Sequence, residues 1–150
     1  MTRWLLLFLC ATPVAQAQTP DPRVDWAASW SKDNTLELSG HVEEGWHVYA
    51  LTQRPGGPIP LRVSIDDNPV ATLGGPPSGS TPEIRHDPSF NLQTEFYTDA
   101  FRITVPISLK SEARSAGQLI PVSIRFQTCS ARECKPPKTV HLSVPVEVHS

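Results

Sequence analysis

The sequence predicts an all-β fold on three observations. Apolar and polar residues alternate with a period of two in several stretches, as in strands that bury one face. Proline makes up 16 of the 150 residues, about twice its usual share, and the prolines lie between apolar stretches or on apparent edge strands. No convincing helical period extends over about ten residues or more. About six to eight short strands separated by turns are typical of an immunoglobulin-like β-sandwich.

Five apolar runs carry this alternation and are predicted to be strands. They are the runs Leu36–Val42, Ile59–Ile65, Phe101–Leu109, Ile120–Phe126 and Val140–Val148. Turn sequences separate them, namely DDNP at 66–69, GGPPSG at 74–79 and SAG at 115–117. The segment 74–92 is rich in proline, glycine and serine, which predicts a long loop that is either disordered or functional.

Residues 1–17 have the three parts of a secretory signal. The segment begins with MTR, continues with the apolar run WLLLFLCA and ends with Ala15-Gln16-Ala17. The apolar run is much shorter than the roughly 20 residues that a spanning helix needs. We therefore predict cleavage after Ala17, with an uncleaved N-terminal anchor as the alternative. Cys10 lies inside the apolar run and follows Leu9, so a lipid anchor on this cysteine is not expected.

The mature chain is predicted to be one domain, residues 18–150. Removal of residues 1–17 takes away one of 13 basic and none of 15 acidic residues, so the net charge of −2 becomes about −3. This mild balance argues against nucleic acid or an anionic membrane as the main partner. No later segment is apolar enough to cross a membrane, so the mature chain is expected not to span one.

Removal of Cys10 also leaves two cysteines, Cys129 and Cys134, in the segment QTCSARECKPP. An even number in an exported protein favours a disulfide. If the strands before and after the pair are neighbours, the two Cα atoms lie roughly 4.5–5.5 Å apart, within bonding range. Closing so short a loop stabilises the fold by only about 2 kcal/mol, which is weak evidence for a structural role.

A zinc site and redox exchange are the other two interpretations of the pair. A zinc site needs two further ligands, for which His141 and the distant His47 are the candidates, and we do not expect a metal. Redox exchange needs a thiolate, which the nearby basic side chains favour and the acidic Glu133 opposes. Those basic residues are Arg132, Lys135 and Lys138. The residues alone leave a structural disulfide and a redox-active one both open.

A resemblance bears on this choice. Three segments together resemble the N-terminal periplasmic domain of the thiol:disulfide interchange protein DsbD and the related stand-alone disulfide bond corrector domains. They are RFQTCSARECKPPKTVHLSVPV at 125–146, EEGWHVYA at 43–50 and TEFYTDAFRITVPI at 94–107. The specific part is the order of an upstream EFY, a glutamine before the first cysteine, and two prolines closely following the second. The resemblance covers most of the mature chain and implies an immunoglobulin-like fold with both cysteines at one end.

The resemblance also implies roles for residues. Cys129 and Cys134 would form the redox couple, with Cys134 the more exposed and the one that forms mixed disulfides. Phe96 would shield the sulfur atoms from oxidants, within a cap loop made of Thr94, Glu95, Phe96 and Tyr97. Four further residues are expected near the active site: Trp46, Tyr49, Gln127 and Pro136. For Trp46, ordinary core packing is an equal alternative.

Two features depart from the best-known member of this family. Four residues separate the cysteines here, where that member has five, although stand-alone relatives often have four. The cap begins with Thr94, where that member has an aspartate, so another group must manage protons if that carboxylate does so; Glu95 is the nearest candidate.

The function expected from the resemblance is a periplasmic electron relay that requires no cofactor. A membrane electron transporter or a thioredoxin-like protein would reduce the disulfide, and periplasmic thioredoxin-fold proteins would accept the electrons. The alternative is a secreted immunoglobulin-like binding module in which the disulfide is purely structural.

Overall fold

The computed structural model describes residues 21, 23–31, 33–111 and 117–147. The predicted signal segment with Cys10, part of the predicted SAG turn, and Val148 and His149 lie outside these residues. The described residues form strands and connections without any helix, and among them no helix is therefore long and apolar enough to cross a membrane.

Twelve strands are present in the described residues. They are β1 (Val24–Ser31), β2 (Thr35–Val42), β3 (Trp46–Tyr49), β4 (Arg62–Ile65), β5 (Ala71–Leu73), β6 (Ser78–Gly79), β7 (Glu83–Asp87), β8 (Leu92–Tyr97), β9 (Ala100–Leu109), β10 (Leu119–Phe126), β11 (Thr128–Ser130) and β12 (Lys138–Pro145). All strand pairs are antiparallel, and they build three sheets with the orders β1-β2-β9-β5, β12-β10-β4 and β11-β3-β8-β7. The short β6 joins the first sheet beside β9.

The main core lies between the first two sheets, and the predicted alternation accounts for it. Every second residue of β9 is buried, as is every second residue of β2. The fully buried side chains of β10 come from the other sheet. The core residues that these three strands contribute include Leu36, Leu38, Ile103, Val105, Ile120, Val122, Ile124 and Phe126. The predicted all-β, immunoglobulin-like sandwich is confirmed.

Two of our predictions were wrong in the region of β6, β7 and β8. The segment 74–92, predicted to be a long loop, contains β6 and β7. The predicted cap loop is instead the strand β8, which lies between β3 and β7. Alternation is hard to read in the third sheet because β7 is polar and largely exposed, while Phe96 and Tyr97 are buried on opposite faces of β8. Asn91, at a φ of 53°, makes the turn between the two strands.

The cysteine segment interrupts the sheet formed by β10 and β12. These two strands pair along their whole length, from Leu119 opposite Pro145 to Phe126 opposite Lys138. The predicted neighbourhood of the strands before and after the cysteines is therefore confirmed. Between them the chain leaves this sheet, and β11 pairs with β3 of the third sheet. The cysteines consequently lie where the second sheet ends and the edge strand β11 of the third sheet begins.

Gly40 is needed for close packing near the third sheet. It lies opposite Phe101, and a Cβ atom at this position would collide with the Phe101 ring. That ring stacks on Tyr97 of β8, with centroids 4.4 Å apart, and meets Trp26 edge-on at 5.4 Å. Gly40 thus makes room for the aromatic contact that joins β8 to the main core.

We expect Gly40→Ala to lower the free energy of unfolding by about 1–3 kcal/mol, the usual cost of overpacking a core. Gly75→Ala is the matched control, because an added Cβ there would meet only ordinary contacts at 3.8 Å from Pro106, and we expect a change within about 0.5 kcal/mol. Denaturant unfolding of the two variants measures the difference. Equal stability of both would contradict this account of Gly40.

Candidate functional site

Cys129 and Cys134 form a disulfide across a tight turn. Their sulfur atoms are 2.05 Å apart and their Cα atoms 4.0 Å apart, somewhat closer than our sequence-based range. The backbone closes the turn from both sides, since Ser130 N donates to Glu133 O at 2.8 Å and Lys135 N donates to Thr128 O at 2.9 Å. The Ser130 hydroxyl oxygen also accepts from Glu133 N at 3.2 Å. The disulfide therefore bridges neighbouring segments that are already hydrogen-bonded.

The two cysteines differ in their exposure. Cys129 lies in β11 and is 1% exposed, whereas Cys134 lies beyond the turn and is half-buried. Cys129 packs in a small cluster with Tyr49 and Phe96, and Phe90 lies at its edge together with Cys134. A thiol or thiolate from another protein can therefore reach Cys134 more easily than Cys129.

A buried phenol lies next to the Cys134 sulfur and is hydrogen-bonded to a buried carboxylate. Tyr49 donates to Asp87 Oδ2 at 2.6 Å, and Tyr49 Oη is 4.0 Å from Cys134 Sγ. Burial, followed by the hydrogen bond to Asp87 and the charge of Asp87, raises the pKa of Tyr49 above its usual range. Tyr49 therefore keeps its proton, and its hydroxyl links the Asp87 carboxylate to the neighbourhood of Cys134.

Two further groups hold the Asp87 carboxylate, one in the turn that follows β7 and one in β8. Its Oδ1 accepts from Ser89 N at 2.8 Å, and its Oδ2 is 3.4 Å from the Thr94 hydroxyl. The Ser89 hydroxyl oxygen lies 3.7 Å from Cys134 Sγ. Asp87 was not among the residues predicted from the sequence. The Asp-Pro-Ser sequence at 87–89 was the available signal, because aspartate often closes a local turn in this way.

His47 was considered in the sequence only as a remote zinc ligand, and the structure places it beside Cys129. The two residues are partners in the pairing of β3 with β11. The His47 ring packs against Tyr49 at 5.1 Å and against Phe96 at 4.8 Å between centroids. The alternation of side chains along β3 could have identified His47, because it puts His47 on the same face of the strand as Tyr49.

His141, the other histidine proposed for zinc, lies in the second sheet. Its Nδ1 is 2.8 Å from the hydroxyl oxygen of Ser123, which also contacts Asp66. Among the described residues, no group of three or more histidine, cysteine, aspartate and glutamate side chains is arranged to hold a metal ion.

The basic residues around the turn have other contacts. Lys135 Nζ is 2.7 Å from Glu133 Oε2 and 5.8 Å from the centre of the Trp46 ring. Arg132 is exposed at the tip of the turn. Arg85 of β7 lies over the Phe96 ring at 4.4 Å. In these contacts Lys135 pairs with Glu133, and Arg85 packs on Phe96; neither contact involves a sulfur atom.

The predicted cap residues divide between two faces of β8. Thr94 and Phe96 border a groove of about 400 Å³ that also reaches Cys129, His47 and Asp87. The alternation along the strand turns Glu95 and Tyr97 to the opposite side, where Tyr97 joins the main core. Glu95, our candidate for proton handling, thus points away from the sulfur atoms. The carboxylate linked to them is Asp87, through the Tyr49 hydroxyl.

The remaining predicted residues surround the cysteine turn. The Gln127 side chain accepts from Ile59 N at 3.2 Å and donates to Lys135 O at 3.3 Å. It therefore connects the residue that follows Cys134 to the segment at Ile59. Trp46 is half-buried; it packs against the main core and also borders the groove. Pro136 is exposed, two residues after Cys134.

The geometry agrees with the comparisons with known proteins. Residues 15–145 match the family model described as the N-terminal domain of the thiol:disulfide interchange protein DsbD. No match was found among curated proteins. The fold is similar to the DsbD N-terminal domain of Neisseria meningitidis in its reduced form, with a TM-score of 0.62 and 16% identity over 87% of this chain and 91% of that one.

Two further solved structures share the fold. One is the complex between the DsbD and PilB N-terminal domains of Neisseria meningitidis, with a TM-score of 0.57 and 15% identity over 84% of this chain and 85% of the matched one. The other is the N-terminal periplasmic domain of ScsB from Proteus mirabilis, with a TM-score of 0.54 and 16% identity over 85% of this chain and 48% of that one. On the family match, which covers most of its length, the chain belongs to the DsbD N-terminal domain family.

Proposed function

We propose that this chain is a periplasmic thiol:disulfide interchange domain that passes electrons through Cys129 and Cys134 to thioredoxin-fold proteins. The observation that carries the proposal is the unequal exposure of the two sulfur atoms. Cys134 is half-buried and can be reached by an incoming thiolate, whereas Cys129 is 1% exposed and packs against Tyr49 and Phe96. A disulfide with one accessible and one protected sulfur favours attack at a single atom.

Reduction begins when a donor thiolate attacks Cys134 Sγ. The Cys129–Cys134 bond breaks, a bond between the donor sulfur and Cys134 forms, and Cys129 leaves as the thiolate. A second donor thiol then attacks the donor's own sulfur in the mixed disulfide, which releases Cys134 and leaves the donor oxidised. Two electrons and two protons have then moved from the donor to this chain.

Oxidation by an acceptor is the reverse sequence. The Cys134 thiolate attacks the acceptor disulfide and forms a mixed disulfide, and Cys129 then attacks Cys134 Sγ. The acceptor leaves as a dithiol and the Cys129–Cys134 bond forms again. All of these steps use sulfur atoms of the two proteins, and the proposal needs no cofactor.

The proposed partners and location rest on the relatives. A DsbD N-terminal domain forms a complex with the PilB N-terminal domain, and the ScsB domain is periplasmic. We propose a thioredoxin-fold acceptor for this chain, and a membrane electron transporter or thioredoxin-like protein as the donor. We also propose that residues 1–17 direct export and that residues 18–150 form the single mature domain.

The reduction potential tests this function against a binding module with a structural disulfide. We expect the Cys129–Cys134 couple to have a potential between about −270 and −120 mV, the range of exchange proteins. Equilibration of the mature chain with glutathione or dithiothreitol buffers, followed by thiol alkylation, measures it. A potential below about −300 mV, typical of structural disulfides, would contradict the relay.

Trapping tests which cysteine reacts with partners. Cys129→Ser retains the exposed sulfur and lacks the group that resolves the mixed disulfide, so we expect it to accumulate mixed disulfides with an oxidised thioredoxin-fold protein. Cys134→Ser is the matched control and should trap far less, because its remaining sulfur is buried. Equal trapping by both variants would contradict the assignment of Cys134.

Phe96 is proposed to shield the sulfur atoms, because it packs against Cys129 in the small aromatic cluster. We expect Phe96→Ala to increase the rate at which hydrogen peroxide oxidises the reduced protein, by roughly tenfold if the side chain blocks most approaches. Ile84→Ala is the control, since Ile84 is 63% exposed and lies opposite Glu95, on the other face of the same sheet. Oxidation rates equal to wild type in both folded variants would show that Phe96 does not protect the pair.

A further inference from the structure

We propose that His47 compensates the negative charge of Cys129 when the disulfide opens, by taking up a proton beside the buried thiolate. The inference rests on the proposed function, because it concerns the intermediate in which Cys134 is bonded to a partner. It assigns a role to a side chain that neither the cysteine motif nor the EFY segment includes.

The first support is geometric. His47 and Cys129 are directly opposite each other in the antiparallel pairing of β3 and β11. Side chains at such positions project from the same face of the sheet, with Cβ atoms about 4.5–5.5 Å apart. Both side chains border the same groove, and both pack on Phe96 and Tyr49. The imidazole and the buried sulfur therefore share one small compartment.

The second support is an unsatisfied atom. His47 Nε2 is buried and has no hydrogen-bond partner among the described residues of the oxidised protein. A buried polar atom without a partner is costly, and a role in the reaction is one explanation for keeping it. In the oxidised form Cys129 Sγ is bonded to Cys134 and carries no charge. Opening of the disulfide would create an anion in the compartment that His47 occupies.

The chemistry of exchange requires a compensating group. When a donor thiolate attacks Cys134, the electron pair of the broken S–S bond stays on Cys129, which is 1% exposed. An unpaired buried anion is strongly unfavourable. A neutral imidazole can accept the proton that the donor thiol has released to solvent. The resulting imidazolium and thiolate carry no net charge, and the same proton returns when the disulfide reforms.

Other charged groups near the sulfur atoms are less suited to this role. Asp87 is an acceptor for Tyr49 and Ser89, and its negative charge would repel a thiolate. Arg85 lies over Phe96 and is 3.4 Å from Glu83, and Lys135 pairs with Glu133. Among the described residues that border the groove, His47 combines burial, an unpartnered nitrogen and a pKa that can cross neutrality.

The charges around His47 and its burial determine its protonation state in the oxidised protein. Burial lowers the pKa of His47, Asp87 and Glu83 act to raise it, and Arg85 acts to lower it. The other titratable groups that border the groove are Glu43, Glu44, His86 and Asp99. The lowered pKa leaves the imidazole neutral at pH 7, ready to accept a proton. A new thiolate next to it would raise its pKa, because an opposite charge favours the charged form.

The test measures the coupling between the two groups without any partner protein. In the mature Cys134→Ser chain, Cys129 is the single thiol, and thiolate absorbance in the ultraviolet follows its ionisation with pH. We expect His47→Gln in this background to raise the pKa of Cys129, which lowers the thiolate fraction at neutral pH by about tenfold or more. His86→Gln is the matched control, because His86 borders the same groove but is exposed, and it should leave the titration unchanged.

A second measurement needs no substitution. NMR titration of the His47 ring should give a higher pKa in the reduced wild-type protein than in the oxidised one, because the coupling is reciprocal. Identical His47 pKa values in both redox states, or identical Cys129 titrations with and without His47, would overturn the proposal. Neither result depends on partner exchange, so failure here is distinct from failure of the relay, which the reduction potential and trapping decide.

Discussion

The pairing of β11 with β3 is the constraint on which the rest of the site depends. The strands β10 and β12 are continuous neighbours, and only the short segment between them leaves their sheet. This departure buries Cys129 against Tyr49 and Phe96 while the turn returns Cys134 to the surface. A hairpin that continued within its own sheet would leave both sulfur atoms similarly exposed. The difference in exposure between the two cysteines therefore arises because the segment between β10 and β12 pairs with a strand of another sheet.

The surroundings of the disulfide also separate into two halves. The exposed sulfur lies near a polar set, in which the Tyr49 hydroxyl and Ser89 approach Cys134 and both contact Asp87. The buried sulfur lies among rings, and the His47 imidazole is one of them. The polar half suits contact with an incoming partner, and the half made of rings fits the proposed shielding of the leaving thiolate. The proposed order of attack, first at Cys134 and then release of Cys129, follows this division.

Much of the fold could be predicted because alternation reports directly on a buried face. The runs in β2, β9, β10 and β12 are apolar on one side and belong to the main sandwich. The strand β7 escaped prediction because it is polar and exposed, so burial leaves no pattern in it. The strand β8 was predicted to be a cap loop from the family resemblance, and alternation did not identify it as a strand because it buries Phe96 on one face and Tyr97 on the other. Two-sided burial erases the period of two.

The sequence by itself determined the all-β class and the two cysteines separated by a short segment. The aromatic segments near them were expected only from the family resemblance. The sequence could not determine which side chains meet, because the decisive contacts join residues remote in the chain. Tyr49 is 38 residues from Asp87 and 85 from Cys134. Only the tertiary structure showed that Glu95 faces away from the sulfur atoms, that Asp87 hydrogen-bonds to Tyr49, and that His47 lies opposite Cys129. The register of a strand decides which face each side chain occupies.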